Sequence, residues 1–462
     1  MDRNIFKNIS PLDHRYSLRK DNFEDYAEYF SEEATVHYQA QVELALVKAL
    51  QARGICDREV VAEVEQAVEQ LEVAAAYQEE KKTKHNIRAL VNCLQDKISE
   101  KARPFIHLSA TSYDIVDTAN SLRYKEAALN LIIPRLEKLL KEWLSLAEEE
   151  KNTLQIGRTH GQHAEPITFG LVMAFYCSRL QERMESLKKA AQNLKGKMSG
   201  AVGAYNASSI FFADPDEFEK EFLAQLGLKP GPVSTQIVAP EYRTDYVHNL
   251  ISIFGILADF SDDMRHLQRS EIREVGEYFD SDQVGSSTMP HKRNPINYEN
   301  VKSMWKQFMP RMMTLYQDQL SEHQRDLSNS ASGRFVPEIA VGLLLCTDRL
   351  QRVCSRMHID SEQMKENFAA TRDIIIAEPL YIILAAEGHP DAHEKVRRLT
   401  LEAEERGVTL QELIQHDEEL APYLEQLDSR QEEILYNPEA YTGIAARRTE
   451  EIVAKIKQKL NL

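Results

Sequence analysis

Apolar residues recur at three- and four-residue steps over long stretches of the chain. Leu136, Leu139, Leu140, Trp143, Leu144 and Ala147 follow Pro134 in that rhythm. Val247, Leu250, Ile251, Phe254, Leu257 and Ala258 repeat it with charged residues between them. One apolar stripe per turn predicts amphipathic helices. No proline occurs between Pro166 and Pro215 or between Pro240 and Pro290, so neither interval contains the residue that most reliably breaks a helix. Two more long helices are expected, roughly over residues 297–318 and 337–357. Strand-like alternation is nearly absent. Rods of about 25–40 residues span about 40–60 Å and need neighbours along their whole length, so the expected fold is all-α with a long central helical bundle.

The rhythm shortens at both ends. Breaks near Gly54 and residues 81–84 give the N-terminal part smaller helices, and Pro104 closes it. Pro379, Gly388, Pro390 and Gly407 interrupt the last hundred residues. The expected division is a small helical domain over 1–104, the bundle over 105–352 and a second small helical domain over 353–462. No internal repeat or low-complexity tract is visible.

Composition sharpens this picture. Seventeen glycines and sixteen prolines in 462 residues are few; average usage would give roughly twice as many glycines. Scarcity of both favours uninterrupted helices. A charged fraction of 28% beside 43% hydrophobic residues argues against bulk disorder. The net charge of −17 opposes general binding to nucleic acid or to an anionic membrane. Any small anion must be held by cations gathered locally. Five widely spaced cysteines, Cys56, Cys93, Cys177, Cys346 and Cys354, form no Cys-x-x-Cys or Cys/His ligand cluster, so reduced thiols in a cytoplasmic setting are expected. The N-terminus lacks the apolar core of a signal peptide, and the longest apolar run, 339–346, is too short to span a bilayer.

Candidate chemistry sits in polar islands between the periodic stretches. Residues 285–295 read Gly-Ser-Ser-Thr-Met-Pro-His-Lys-Arg-Asn-Pro. Two hydroxyls, Ser286 and Ser287, stand close to Lys292 and Asn294, a set suited to a carboxylate whose charge grows during reaction. A second island runs Gly157-Arg158-Thr159-His160-Gly161-Gln162-His163, just before a helix expected to begin after Pro166. Its glycines let backbone approach a ligand closely. A third, residues 105–114, holds His107, Thr111, Ser112 and Tyr113; Thr111 and Ser112 are also natural helix caps. A fourth is Thr83-Lys84-His85-Asn86, where a surface histidine is the plainer reading. A fifth, Gln324-Arg325-Asp326-Leu327-Ser328-Asn329-Ser330 with Arg334 beyond it, suits bidentate recognition of carboxylate or phosphate, or equally ordinary surface ion pairs. A sixth is Ser10-Pro11-Leu12-Asp13-His14-Arg15-Tyr16.

The 285–295 stretch resembles the signature of the fumarase/aspartase superfamily, whose members eliminate fumarate from substituted succinates. Taken with the Pro-Leu-Asp-His-Arg-Tyr start, Arg-Thr-His-Gly-Gln and Gln-Arg-Asp-Leu-Ser-Asn-Ser, the chain is similar to the adenylosuccinate lyase branch from about residue 8 onward. The resemblance implies His160 as general acid and Ser286 as general base. It implies Lys292 and Asn294 at the succinyl part of the substrate. Arg15, Tyr16, His85, Thr111, Ser112, Gln236, Arg325, Ser330 and Arg334 match positions that contact the nucleotide and its phosphate. His107, Glu299 and Asn300 also fall on site positions. One departure is Asn86, where the branch usually carries aspartate after the histidine. The implied reaction is release of fumarate from a succinylated purine nucleotide or its ribotide precursor, with no metal and no redox cofactor. The implied assembly is a homotetramer built on a shared helical core, with each site drawing on several subunits. Another lyase of the superfamily, such as argininosuccinate lyase, shares the signature loop. A non-catalytic helical scaffold would not need His160, Ser286, Lys292 and Asn294 together.

Overall fold

The computed structural model describes residues 7–17, 23–279, 288–289 and 291–462, and it is dominated by helices. The chain forms two compact units. The first comprises residues 1–138, 182–258 and 301–349; the second comprises 139–181, 259–300 and 350–462.

The long helices fall where the apolar stripes predict them. Residues 136–147 lie in the helix Ile133–Glu149, and 247–258 lie in the 27-residue helix Glu241–Leu267. The 337–357 stretch is the helix Val336–Cys354. The 297–318 stretch is different: it is two helices, Ile296–Phe308 and Arg311–Gln317. Pro310 stands at the break, where it lacks the N–H that would continue the ladder. In the N-terminal part, helices Glu32–Ala52, Arg58–Glu69, Val73–Thr83 and Asn86–Gln95 are interrupted near Gly54 and residue 84, as expected.

In the first unit, Ala40, Val42, Leu46, Val47 and Leu50 of helix Glu32–Ala52 are sealed from solvent, and this helix packs on Ser112–Ala127. Tyr124 stacks on Tyr246 with ring centroids 5.8 Å apart. Gly342 faces Phe308 so closely that a Cβ would lie 2.5 Å from the ring. A buried ion pair, Lys197 with Asp114, ties a loop to the start of helix Ser112–Ala127. Asp114 also accepts from the Thr111 N–H at 2.7 Å and from the Gly200 N–H at 3.2 Å. Its charge is therefore fully employed at a helix N-terminus.

In the second unit, Trp143 is fully buried against Phe260, with centroids 4.5 Å apart, and donates its indole N–H to Cys354 Sγ at 3.3 Å. A further cluster joins Leu380, Leu384, Val396, Leu399, Leu410 and Leu435. This unit also holds an element that the periodicity does not announce. Leu154–Thr159 and Gln162–Thr168 form an antiparallel hairpin. Pro166 lies inside its second strand, opposite Ile156, and the helix expected there begins at Phe169. Among the described residues no helix is long and apolar enough to cross a membrane.

Candidate active site

Within the first unit a cavity of about 1080 Å³ opens between the helix Ser112–Ala127, the 236–243 segment and the 325–338 segment. Six of the expected site residues line it: His85, Ser112, Gln236, Arg325, Ser330 and Arg334. Positions spread over 250 residues of sequence thus meet at one wall.

Local geometry explains how three of them, His85, Ser112 and Arg325, are held. His85 is the N-cap of helix Asn86–Gln95: its Nδ1 accepts from the Arg88 N–H at 3.2 Å. That leaves Nε2 facing the Ser112 hydroxyl at 3.2 Å. The capping role and the cavity-facing role therefore coincide. Thr111 caps helix Ser112–Ala127 in a reciprocal capping box with Asp114, which places Ser112 in the first turn, where N–H groups are unpaired and anions are favoured. Arg325 is fixed by three neighbours. It donates to the Asp326 carbonyl at 2.5 Å, to the Tyr113 hydroxyl at 2.5 Å and to Asn329 Oδ1 at 3.1 Å. Its guanidinium lies 3.6 Å from the Tyr113 ring centroid. The face of an aromatic ring is a favourable seat for a cation, so Arg325 is pre-set rather than free to wander.

The wall's charge differs from that of the chain. Lys84, Arg123, Arg243, Arg325 and Arg334 stand against Glu32, Glu80, Asp117, Asp326 and Glu338, an even balance inside a protein of net charge −17. Three of those carboxylates are engaged elsewhere. Glu338 holds Arg311 at 2.6 Å. Asp326 accepts from Ser328 and from the Glu322 N–H, bonds that hold its carboxyl below the ordinary range. Asp117 accepts from the Val238 N–H at 2.9 Å; burial nonetheless pushes its carboxyl up, against the opposing pull of Arg243 and that N–H. The field left facing the cavity favours an anion.

Sequence marked Tyr113 only as a member of the 105–114 island, and Asp117 and Arg243 not at all. The signal for the first two is helical spacing: Val116, Asp117, Asn120, Ser121 and Tyr124 lie 3, 4, 7, 8 and 11 residues after Tyr113, and all six line the cavity. Arg243 stands alone in sequence, and its Nε is buried without a partner.

Other expected residues lie apart from this wall. Arg15 is exposed and Tyr16 half-buried, in the turn after Pro11–Asp13, and neither lines the cavity. His107 adopts a left-handed backbone, φ 62°, and is gripped twice by fully buried Glu43: Nδ1 to Oε1 at 2.7 Å, and backbone N–H to Oε2 at 3.1 Å. Burial alone pulls the histidine pKa down, but the hydrogen bond and charge of Glu43 outweigh it and raise the pKa. Sequence reasoning missed Glu43, which sits inside a helix and carries no motif.

The remaining islands belong to the second unit. His160 and Gly161 form the two-residue turn of the hairpin, with φ 54° and 76°. Two consecutive positive φ values match the turn type that suits hairpin twist. They put His160 at an exposed tip. Lys292 is exposed and Asn294 half-buried; the Lys292 N–H donates to the Met289 carbonyl at 3.0 Å. Glu299 is exposed and Asn300 half-buried in the first turns of helix Ile296–Phe308. Ser286 and Ser287 lie outside the described residues. Among the described residues no cluster of histidine, cysteine and carboxylate side chains fits a metal ion.

Known proteins place this chain in a family. Residues 16–309 match the family model described as Lyase, and residues 321–457 match the one described as Adenylosuccinate lyase C-terminal. The chain is 33% identical over 458 residues to adenylosuccinate lyase of Pyrococcus abyssi, covering 97% of this chain and 98% of that protein. It is 32% identical to the Methanocaldococcus jannaschii enzyme, covering 98% and 96%, and 35% identical to that of Bacillus subtilis, covering 75% and 79%. In fold it superposes on 3-carboxy-cis,cis-muconate lactonizing enzyme from Pseudomonas putida with TM-score 0.80 at 24% identity, covering 94% and 97% of the two chains. A fumarate lyase from Mesorhizobium gives TM-score 0.80 at 22% identity, covering 93% and 97%. With its full-length relatives and both family models in agreement, the chain belongs to the adenylosuccinate lyase family of the fumarase/aspartase superfamily.

Proposed function

We propose that this chain is a carbon–nitrogen lyase that cleaves adenylosuccinate to AMP and fumarate, and the succinylated aminoimidazole carboxamide ribotide to its free carboxamide and fumarate. The observation that carries the reading is the cavity wall, where Arg325, Arg334, Ser330, Ser112 and His85 converge on a volume suited to a nucleotide. Arginine forks and a helix N-terminus are the donors that a phosphate needs.

The reaction is a β-elimination. A base removes the proton next to a carboxylate, the electron pair forms the C=C bond of fumarate, and the purine amino nitrogen leaves with a proton from an acid. Proton removal loads a second negative charge onto an existing carboxylate. One well-placed donor lowers such a barrier by about 3–4 kcal/mol. Lys292, Asn294 and the backbone N–H groups beside them are our candidates. Asn300 and Glu299 follow one helical turn later. His160 is the proposed acid: an imidazolium N–H can hand its proton to the leaving nitrogen, and a hairpin tip gives it reach. Ser286 is the proposed base, and acid and base together contribute about 10²–10⁴-fold. Arg15, Tyr16, His107, Thr111 and Gln236 complete the proposed substrate contacts.

We further propose a homotetramer whose sites are shared between subunits, working in the cytoplasm. In support, Met309, Met313, Tyr316 and Leu320 are all exposed at steps of four, three and four residues. Met313 and Tyr316 share one face of the helix Arg311–Gln317, and Met309 and Leu320 lie just beyond its two ends; exposed apolar side chains gathered in one short stretch are the kind a subunit partner covers.

The test is incubation of the purified chain with adenylosuccinate while AMP and fumarate are measured. Equimolar release of both is expected. Release of fumarate from argininosuccinate, with none from adenylosuccinate, would overturn the assignment in favour of a sister lyase.

A further inference from the structure

Two buried carboxylates flank one short strand of the second unit, and each holds a different polar island. Val275–Gly276 pairs antiparallel with His358–Ile359. Glu274 precedes the pair and is fully buried; Glu277 follows it and is nearly so. A buried carboxylate is tolerated only when donors surround it. Here the donors come from the sequences that carry the chemistry.

Glu274 grips the first strand of the His160 hairpin at two points. Arg158 forks onto it, Nη2 to Oε1 at 2.7 Å and Nη1 to Oε2 at 3.2 Å, and Gln155 Nε2 donates to Oε2 at 2.7 Å. Asn367 Nδ2 completes the shell at 2.8 Å. Arg158 stands two residues before His160, just past the irregularity at Gly157, where a Cβ would lie 2.7 Å from the Glu165 carbonyl oxygen.

Glu277 caps a helix from a distance. Its Oε1 accepts the N–H groups of Asn297 and Tyr298, each at 2.9 Å, and its Oε2 accepts Asn297 Nδ2 at 2.6 Å. These are first-turn amides of helix Ile296–Phe308, which have no partner inside the helix and favour a negative charge. That helix begins directly after Lys292 and Asn294. A second tie runs from the Glu277 N–H to Gln268 Oε1 at 3.1 Å, and from Gln268 Nε2 to the Arg293 carbonyl at 3.4 Å.

We infer that Glu274 and Glu277 are positioning residues, which fix the His160 hairpin and the base of the Lys292–Asn294 segment to a single piece of backbone. The inference rests on the proposed elimination for its catalytic meaning, and on these contacts for its structural meaning. Neither carboxylate touches reacting atoms. Their effect is placement, and a misplacement of about 1 Å by a distant change costs about 100-fold in rate.

The test uses the full-length chain and counts folded protein by near-UV circular dichroism. Glu277→Gln turns one accepting oxygen into a donor facing Asn297 Nδ2. The expected result is a kcat per folded protein lower by about 10–100-fold, a KM within about threefold, and faster amide exchange at residues 297–298. Adding Asn297→Asp gives the new amide an acceptor, and the double variant is expected to recover most of the lost kcat. For Glu274, where neutralisation endangers folding, Arg158→Lys keeps the charge and loses the fork; the same kcat-selective loss is expected. An unchanged kcat per folded protein in Glu277→Gln, or a loss that Asn297→Asp leaves untouched while amide exchange stays at the wild-type rate, overturns the inference. A wild-type chain that does not cleave adenylosuccinate overturns the functional reading instead, and the exchange measurement still decides whether Glu277 anchors the helix.

Discussion

At the scale of single residues, the pairing of His107 with Glu43 has the clearest thermodynamic consequence. The histidine's folded pKa is raised, because the bond and charge of Glu43 outweigh the cost of burial. A group whose pKa is higher folded than unfolded stabilises the fold fully below the unfolded value, about 6.5 for histidine. That stabilisation fades as pH rises through the folded value. Glu43→Gln removes the charge that holds the proton. The variant is therefore expected to be less stable than wild type by about 2 kcal/mol in mildly acidic buffer, with the gap narrowing as pH climbs. Paired denaturation curves at about pH 5.5 and pH 9 check this; an equal gap at both would mean that His107 is neutral throughout. Arg325 makes a second case. Its fork and its seat on the Tyr113 ring depend on planar guanidinium geometry, which lysine lacks. Arg325→Lys is expected to raise KM for the nucleotide at least tenfold, read from initial rates, with little change in thermal midpoint. Sequence made Arg325 a candidate through its local motif but gave no sign of Glu43. A motif advertises residues that share a loop, whereas Glu43 reaches its partner across 64 positions from within a regular helix.

Elements were legible to the degree that one face of each was apolar. The helices Ile133–Glu149, Glu241–Leu267 and Val336–Cys354 carry unbroken stripes and lie where those stripes put them. The stretch over 297–318 has the same rhythm on both sides of Pro310, so periodicity alone ran two helices together. The hairpin was hidden for another reason. Its first strand has only six residues, its register shifts between Ile156 and Arg158, and it buries Gln155. A polar residue facing inward erases the alternation by which strands are recognised. The three-segment division by helix length remains our proposal for the order of domains along the chain; the two compact units are drawn by proximity. Packing between elements gives its own prediction. At Gly342 a methyl would gain about 1 kcal/mol of helix propensity, but it would meet Phe308 at 2.5 Å. That ring is itself 3% exposed and has little room to move. Overpacking costs about 1–3 kcal/mol, and a contact this close belongs at the upper end. Gly342→Ala is expected to lower stability by about 1–2 kcal/mol while leaving kcat per folded protein unchanged. A variant as stable as wild type would mean that the two helices separate easily.

For the whole molecule, the governing constraint is charge. A substrate with a phosphate and two carboxylates must settle on a chain of net charge −17, so its cations have to be focused from distant islands. The phosphate-type donors line one cavity of the first unit, while His160 and Lys292 belong to the second. The proposed sharing of sites between subunits would join such islands, and mixing inactive chains tests it directly. His160→Ala and Ser286→Ala chains each lack one proposed proton-transfer group. If both groups of a site came from one subunit, every site in a mixture would still lack one of them, and activity would stay at zero. If they come from different subunits, random exchange gives each position an even chance of being intact. About a quarter of the sites then hold both groups. Mixing equal amounts under conditions that exchange subunits is therefore expected to restore about a quarter of wild-type kcat per site. Exchange is verified independently by the mass of tagged and untagged hybrids. Hybrids that form and stay inactive would confine the acid and the base to a single chain.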